Sequence, residues 1–220
     1  MSGKLRLYGY WRSSAAYRVR IALNLKQLPY EQVPVHLVRD GGEQHRPEFL
    51  ALNPQGTVPV LQDGERSIRQ SLAIIEYLDE LHPDPPLLPS TARDRARVRA
   101  IAQAVACDIH PLNNLRVMQY LERELGVAAD ARSDWMRHWM AQGFEAIEAM
   151  LAGHPSTGDF CEGEMPSLAD CCLVPQLYNA RRFALNLSRY PNLLRIEANC
   201  QALDAFRAAW PAAQPDAPPA

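Results

Sequence analysis

From Pro83 to Pro89 the chain reads PDPPLLP, a run that neither a helix nor the middle of a sheet accepts, because proline lacks the backbone donor and its ring collides with a preceding carbonyl. Any fold of this chain has to change character there, and the two sides do differ. Before the run, short stretches alternate apolar and polar side chains as strands do; after it that pattern vanishes and only helical spacing remains. The expected organisation is two domains, residues 1–83 and 90–220, joined by a stiff linker. A chain of 220 residues can give each a core without disulfide or metal staples.

In the first part Leu5 to Tyr10 reads as a strand, Ala15 to Lys26 as an amphipathic helix with Val19, Ala22 and Leu23 at helical spacing, and Tyr30 to Val38 as a second strand. That is a βαβ unit. Arg39 to Pro47 is polar and glycine-containing, hence an exposed loop. Val58 to Gln62 reads as a strand with Pro59 at its second position, where an interior ladder would lose a donor, so something other than ordinary pairing is expected. A brief strand near Ser67 to Arg69 and a helix opened by Ser71 complete this half. In the second part Ala92–Glu124, Ser133–Ala152, Ser167–Leu185 and Asn192–Ala209 read as helices, the first kinked or broken by Pro111. Ser167 to Asp170 has the spacing of a capping box, and the proline- and alanine-rich tail Pro211–Ala220 reads as frayed.

A net charge of −2 gives no basic surface of the kind that drives binding to nucleic acid or anionic membranes. No apolar run approaches the roughly 18 residues that span a bilayer, and MSGKLRLYGYW lacks the apolar core of a signal peptide. Five cysteines, an odd number without a CxxC pair, fit neither a disulfide framework nor a zinc site and suggest reduced thiols in a cytoplasm; no metal is expected.

Three groups of side chains carry chemistry. Ser13 and Ser14 stand at a helix mouth, where unpaired N–H groups and the positive end of the dipole favour an anion; the plainer reading is an N-cap worth about 1 kcal/mol. Gln70-Ser71 and Gln44 read by themselves as a helix cap and a solvated loop. On a helical wheel Arg116 falls among Val98, Ile101, Val105, Ile109 and Leu112, and Arg182 continues Leu168, Cys172, Pro175 and Asn179. A cation on such a stripe needs a partner, either a buried carboxylate or a bound anion.

Taken in order, RSSAAYRVRIALNLK, NPQGTVPVL, QSLAIIEYLDE, CDIHPLNNLRV and SLADCCLVPQ with NARRF resemble the zeta class of glutathione transferases, the family of maleylacetoacetate and maleylpyruvate isomerases. The resemblance covers nearly the whole chain. It implies an α/β thioredoxin-like N-terminal domain followed by an all-α domain, a homodimer, glutathione as cofactor, and cis–trans isomerisation of a maleyl dicarboxylate in aromatic catabolism. By residue, it implies Ser13, Ser14 and Arg12 at the sulfur; a cis Val58-Pro59 bond pairing with the cysteinyl part; and Gln70 and Ser71 at the γ-glutamyl end. It further places Gln44 at the glycine end, His110 and Asn114 near the cleft, and Arg12, Arg116 and Arg182 on substrate carboxylates. His110 stands where many members carry glutamine, and Ala15 where eukaryotic members carry cysteine, so no protein thiol adjoins the sulfur. The alternatives are a general transferase, which needs an open apolar pocket in place of arginines, and a non-catalytic glutathione-fold module.

Overall fold

The computed structural model describes residues 4–219; Met1 to Gly3 of the opening segment and Ala220 of the tail lie outside the described residues. The chain divides into two units, residues 1–87 with 201–220, and Leu88–Cys200. The return of the last twenty residues to the first unit departs from the expected 90–220 boundary.

The first unit runs β1 (Leu5–Gly9), α1 (Ser14–Leu25), β2 (Tyr30–Pro34), α2 (Pro47–Leu52), β3 (Val60–Asp63), β4 (Arg66–Arg69) and α3 (Ser71–Leu81). Its sheet has the order β2-β1-β3-β4, with β1 and β2 parallel and the other pairs antiparallel, the thioredoxin-like arrangement. The first β-α-β crossover accounts for the parallel pair, and the tight Asp63-Gly64 turn for the β3-β4 hairpin. β3 starts at Val60, so Pro59 precedes the ladder rather than interrupting it.

α1 is not amphipathic as read: every residue from Ser14 to Leu23 is buried, Arg18 and Arg20 included. The reason is the C-terminal return. Residues beyond Gln201 form α9 (Asp204–Ala209), which packs on α1, and Asn24 Nδ2 and Arg20 Nε donate to the Ala205 and Ala209 carbonyls at 2.9 and 3.1 Å. The tail is likewise not frayed over its described part, since Gln214 is buried and hydrogen-bonded. Lys26, also buried, closes the other end of α1: its Nζ donates to Asp79 and to the carbonyls of His82 and Pro85, tying the proline run to α1 and α3.

The second unit holds α4 (Ala92–Gln103), α5 (Leu115–Arg123), α6 (Ala129–Leu151), α7 (Leu168–Arg182) and α8 (Pro191–Gln201). Val98, Ile101, Phe144, Ile147, Leu173, Leu177, Leu193 and Ile196 form its interior. Between α4 and α5 the expected single helix loosens into a π turn (Ala104–Ile109), tightens into a 3₁₀ turn (His110–Asn113) and restarts at Leu115. Pro111 is the cause, since it cannot donate back up the helix. Two carbonyls of the break are met by side chains, with Asn113 Nδ2 at 2.9 Å from the Ile109 oxygen and Trp135 Nε1 at 2.8 Å from that of Leu112. Gly143 of α6 leaves the space that Ile109 fills, for a Cβ there would lie 2.2 Å from Ile109 Cγ1. Among the described residues no helix is long and apolar enough to cross a membrane.

Candidate functional site

Register alone collects most of the candidate residues of the first unit at one end of its sheet. Gly9 pairs with Pro34, Tyr8 with Val60, and Val60 with Arg69. The chain leaving β1 toward Ser13, the chain leaving β2 toward Gln44, the Val58-Pro59 pair entering β3 and Gln70-Ser71 leaving β4 are therefore neighbours at that end.

The α1 mouth is built by a tight approach. Gly9 lies so near the helix that a Cβ on it would stand 3.2 Å from the Ala16 Cβ, and the Tyr10 carbonyl accepts from Ser13 N at 2.9 Å to turn the chain. Ser13 is the N-cap, extended at φ −66° and ψ 117°, with its Oγ accepting from Ala16 N at 3.2 Å. A hydroxyl has one proton and two lone pairs, so capping leaves the Ser13 proton to be donated outward. Ser14 is the first helical residue and buried. Arg12 is half-buried and its guanidinium stacks 5.3 Å from the Trp11 ring centre. The plain cap and the anion site are thus compatible at Ser13, which serves the helix with a lone pair and can serve a ligand with its proton.

The Val58-Pro59 bond is cis, as the resemblance implied. Val58 lies outside the β1-β3 ladder, which runs no further than Val60. Gln70 caps α3 with a left-handed backbone, φ 71°, and its Nε2 donates to Gln55 Oε1 at 2.9 Å. Ser71 begins the helix, and its buried hydroxyl accepts from Arg18 at 3.2 Å instead of capping. Gln44 is not a solvated loop residue: it is 5% exposed, in a 3₁₀ turn, with Nε2 donating to the Leu37 carbonyl at 3.2 Å. Gly42, at φ 104°, makes room, since a Cβ there would lie 2.5 Å from the Gln44 amide. The Gln44 Oε1 is buried with no hydrogen-bond partner. What it lacks is a donor.

In the second unit His110, Asn114 and Arg116 lie along the break between α4 and α5. Asn114 caps α5, its Oδ1 accepting from Arg116 N at 3.1 Å. His110 is half-buried in the 3₁₀ turn. Arg116 is exposed, contrary to its place on the wheel; the π and 3₁₀ turns shift the helical phase before it, so the stripe of α4 does not continue into α5. Arg182 is exposed too, because α7 ends on it, and it donates to Asn179 Oδ1 at 3.0 Å while stacking on Phe183. Neither arginine is a buried cation.

The mouth of α7 is the site's counterpart without its openings. Asp170 is fully buried and accepts from Cys161 N, Ser167 N and Ser167 Oγ at 2.9, 2.7 and 2.7 Å. Burial pushes its carboxyl above the usual range, and these donors pull it back. Burial, then Asp170, raises the Cys161 and Cys200 thiols, which makes both poor nucleophiles.

Sequence reasoning passed over Arg18 and Arg20. The signal was present: residues two apart on a helix point about 200° from each other, so a single solvated face cannot take both. Arg18 reaches Ser71, and Arg20 reaches the carbonyls of Tyr10 and Trp11 at 3.4 and 2.9 Å.

Residues 7–86 match the family model described as glutathione S-transferase, N-terminal domain. The chain is 57% identical to the probable maleylacetoacetate isomerase of Vibrio cholerae over 97% of its length and 98% of that protein's. It resembles the holo structure of a bacterial zeta-class maleylpyruvate isomerase with a TM-score of 0.94 at 49% identity, covering 97% of this chain and 100% of that one. A maleylacetoacetate isomerase from Methylobacterium extorquens AM1, solved with bound malonate and glutathione, is similar at a TM-score of 0.93 and 45% identity, covering 97% and 100% of the two chains.

Proposed function

Since this chain belongs to the zeta class of glutathione transferases, the family of maleylacetoacetate and maleylpyruvate isomerases, we propose that it is a glutathione-dependent isomerase turning a maleyl dicarboxylate, maleylacetoacetate first, into its fumaryl isomer. The observation that carries the reading is the Ser13 hydroxyl, which spends a lone pair on Ala16 N and keeps its proton for an outside acceptor at a helix mouth.

Glutathione supplies the thiolate that adds to the conjugated cis double bond and, after rotation about the resulting single bond, is expelled. The residues present fit it: Gln44 Oε1 wants a donor, and Val58 stands free of the sheet ladder beside the cis bond. A free thiol titrates near 8.5, and lowering that by about two units takes close to 3 kcal/mol of preference for the charged form. Ser13 O–H and the first N–H groups of α1 provide it, with Ser14 behind them. Gln70 and Ser71 hold the γ-glutamyl end at the N-terminus of α3, where Arg18 adds charge, and Gln44 holds the glycine end. Arg12, Arg116 and Arg182 take the substrate carboxylates as bidentate forks and stabilise the charge that develops on them. His110 and Asn114, at the break before α5, contact the cofactor.

The cysteines are free thiols, which suits a cytoplasmic enzyme, and the assembly we propose is a homodimer, tested by sedimentation. An isomerase regenerates its thiol whereas a conjugating transferase consumes it. With excess maleylacetoacetate or maleylpyruvate and a small amount of glutathione, conversion should far exceed the thiol supplied, with free thiol undiminished. Conversion that stops when thiol is exhausted overturns the isomerase in favour of the transferase, and the faster acid names the substrate.

A further inference from the structure

The Trp11 peptide, one residue before Arg12 and two before Ser13, is held by two groups from outside its own loop. Arg20 of α1 donates to the Trp11 and Tyr10 carbonyls, and Trp11 N donates to Asp216 Oδ2 at 2.8 Å, across 205 residues of sequence. Asp216 is itself placed. Gln214 donates to the Ala208 and Trp210 carbonyls at 2.9 and 2.7 Å and accepts from Gln32 of β2 at 2.5 Å. Its backbone is extended at φ −81° and ψ 147°, as the following Pro215 requires, and Ala217 N returns to its carbonyl at 3.0 Å. That turn presents the half-buried carboxylate to the loop.

We infer that Asp216 is a positioning residue for the reaction: from the C-terminal segment it fixes the Trp11 peptide, and through it aims the Ser13 proton and the Arg12 guanidinium. The link to Ser13 runs along the chain through Arg12 and is tightened by Tyr10 O, which accepts from Ser13 N. The link to Arg12 runs through the Trp11 ring on which it stacks. A loop released on one side still folds and still caps α1, yet its hydroxyl no longer points at one place, and small displacements of reacting groups are expensive. The inference rests on the glutathione reading above.

The test compares the full chain with Asp216→Ala and Asp216→Asn, following the thiolate absorbance of bound glutathione against pH, kcat and KM, and the melting temperature. Asparagine keeps an oxygen that can accept from Trp11 N, so it should retain the wild-type titration midpoint and kcat. Alanine should move the midpoint upward and lower kcat about tenfold, with KM for the maleyl substrate much less affected. An alanine variant with the wild-type midpoint and kcat, whatever its melting temperature, overturns the inference and leaves Asp216 a structural clasp. If that variant does not fold, Asp216→Glu decides by the same midpoint, because its longer arm displaces the peptide; a raised midpoint supports the inference and an unchanged one overturns it. A wild-type enzyme showing no bound thiolate would instead remove the glutathione site, and this inference with it.

Discussion

The mouths of α1 and α7 use the same device to opposite ends. Each opens on a serine whose Oγ accepts from a backbone N–H of the first turn at 3.2 Å. At α7 the serine proton is donated to Asp170, which also takes the Ser167 and Cys161 N–H groups, and the whole cluster is buried. At α1 no carboxylate stands three residues on; the position holds Ala16. The closed mouth has committed its serine proton to Asp170 and belongs to the fold, whereas the open one keeps its proton and its first N–H groups for something else. A cap becomes a binding site by omission of one partner.

Removing the closing group should therefore give the largest effect on stability. Asp170→Ala leaves buried donors on Ser167 and Cys161 unmet, and should lower the unfolding free energy by about 4 kcal/mol in urea titrations while the folded fraction keeps its turnover. Loss of activity without loss of stability would break the distinction. Ser13→Ala should do the reverse, costing about 3 kcal/mol in kcat/KM, the scale for losing one preorganised donor, and only about 1 kcal/mol in stability. Ser14→Ala beside it should cost less activity, and the opposite ranking would move the sulfur contact to Ser14. The smallest expected effect on stability concerns the end of α7 and the start of α5. Because Arg182 and Arg116 are exposed, alanine at either should leave stability within about 0.5 kcal/mol yet reduce kcat/KM about thirtyfold, with glutathione affinity unchanged. Variants that melt markedly earlier would show that these arginines serve the fold after all.

Local signals in the sequence translated well. The proline run, the βαβ start, the capping box at Ser167-Asp170 and the odd placement of Pro59 each depend on a few neighbouring residues, and each appears in the structure. Pro111 also announced its break, but not what the break does to phase; a π turn followed by a 3₁₀ turn rotates everything beyond it, so Arg116 could not be placed on a straight wheel. Arg18 and Arg20 were hidden for a different reason. Their burial is imposed by segments about 50 to 190 residues away, Ser71 for one and α9 for the other, and nothing local reports that. The tail failed in the same way. Pro211 to Pro219 is poor in apolar surface, so its order comes from Gln214 and Asp216, polar side chains whose acceptors and donors lie on β2, α9 and the Trp11 loop.

Translation runs from N- to C-terminus, and the first unit needs segments from both sides of the second. When the ribosome has made residues up to Cys200, the second unit is complete in sequence, but α1 still lacks α9 and the loop before Ser13 still lacks its carboxylate. Arg20 is then a cation on a helix whose cover does not yet exist. The half of the molecule synthesised first is thus the half finished last, and the loop before Ser13 has no outside support from this segment until Ala209 and Asp216 have emerged.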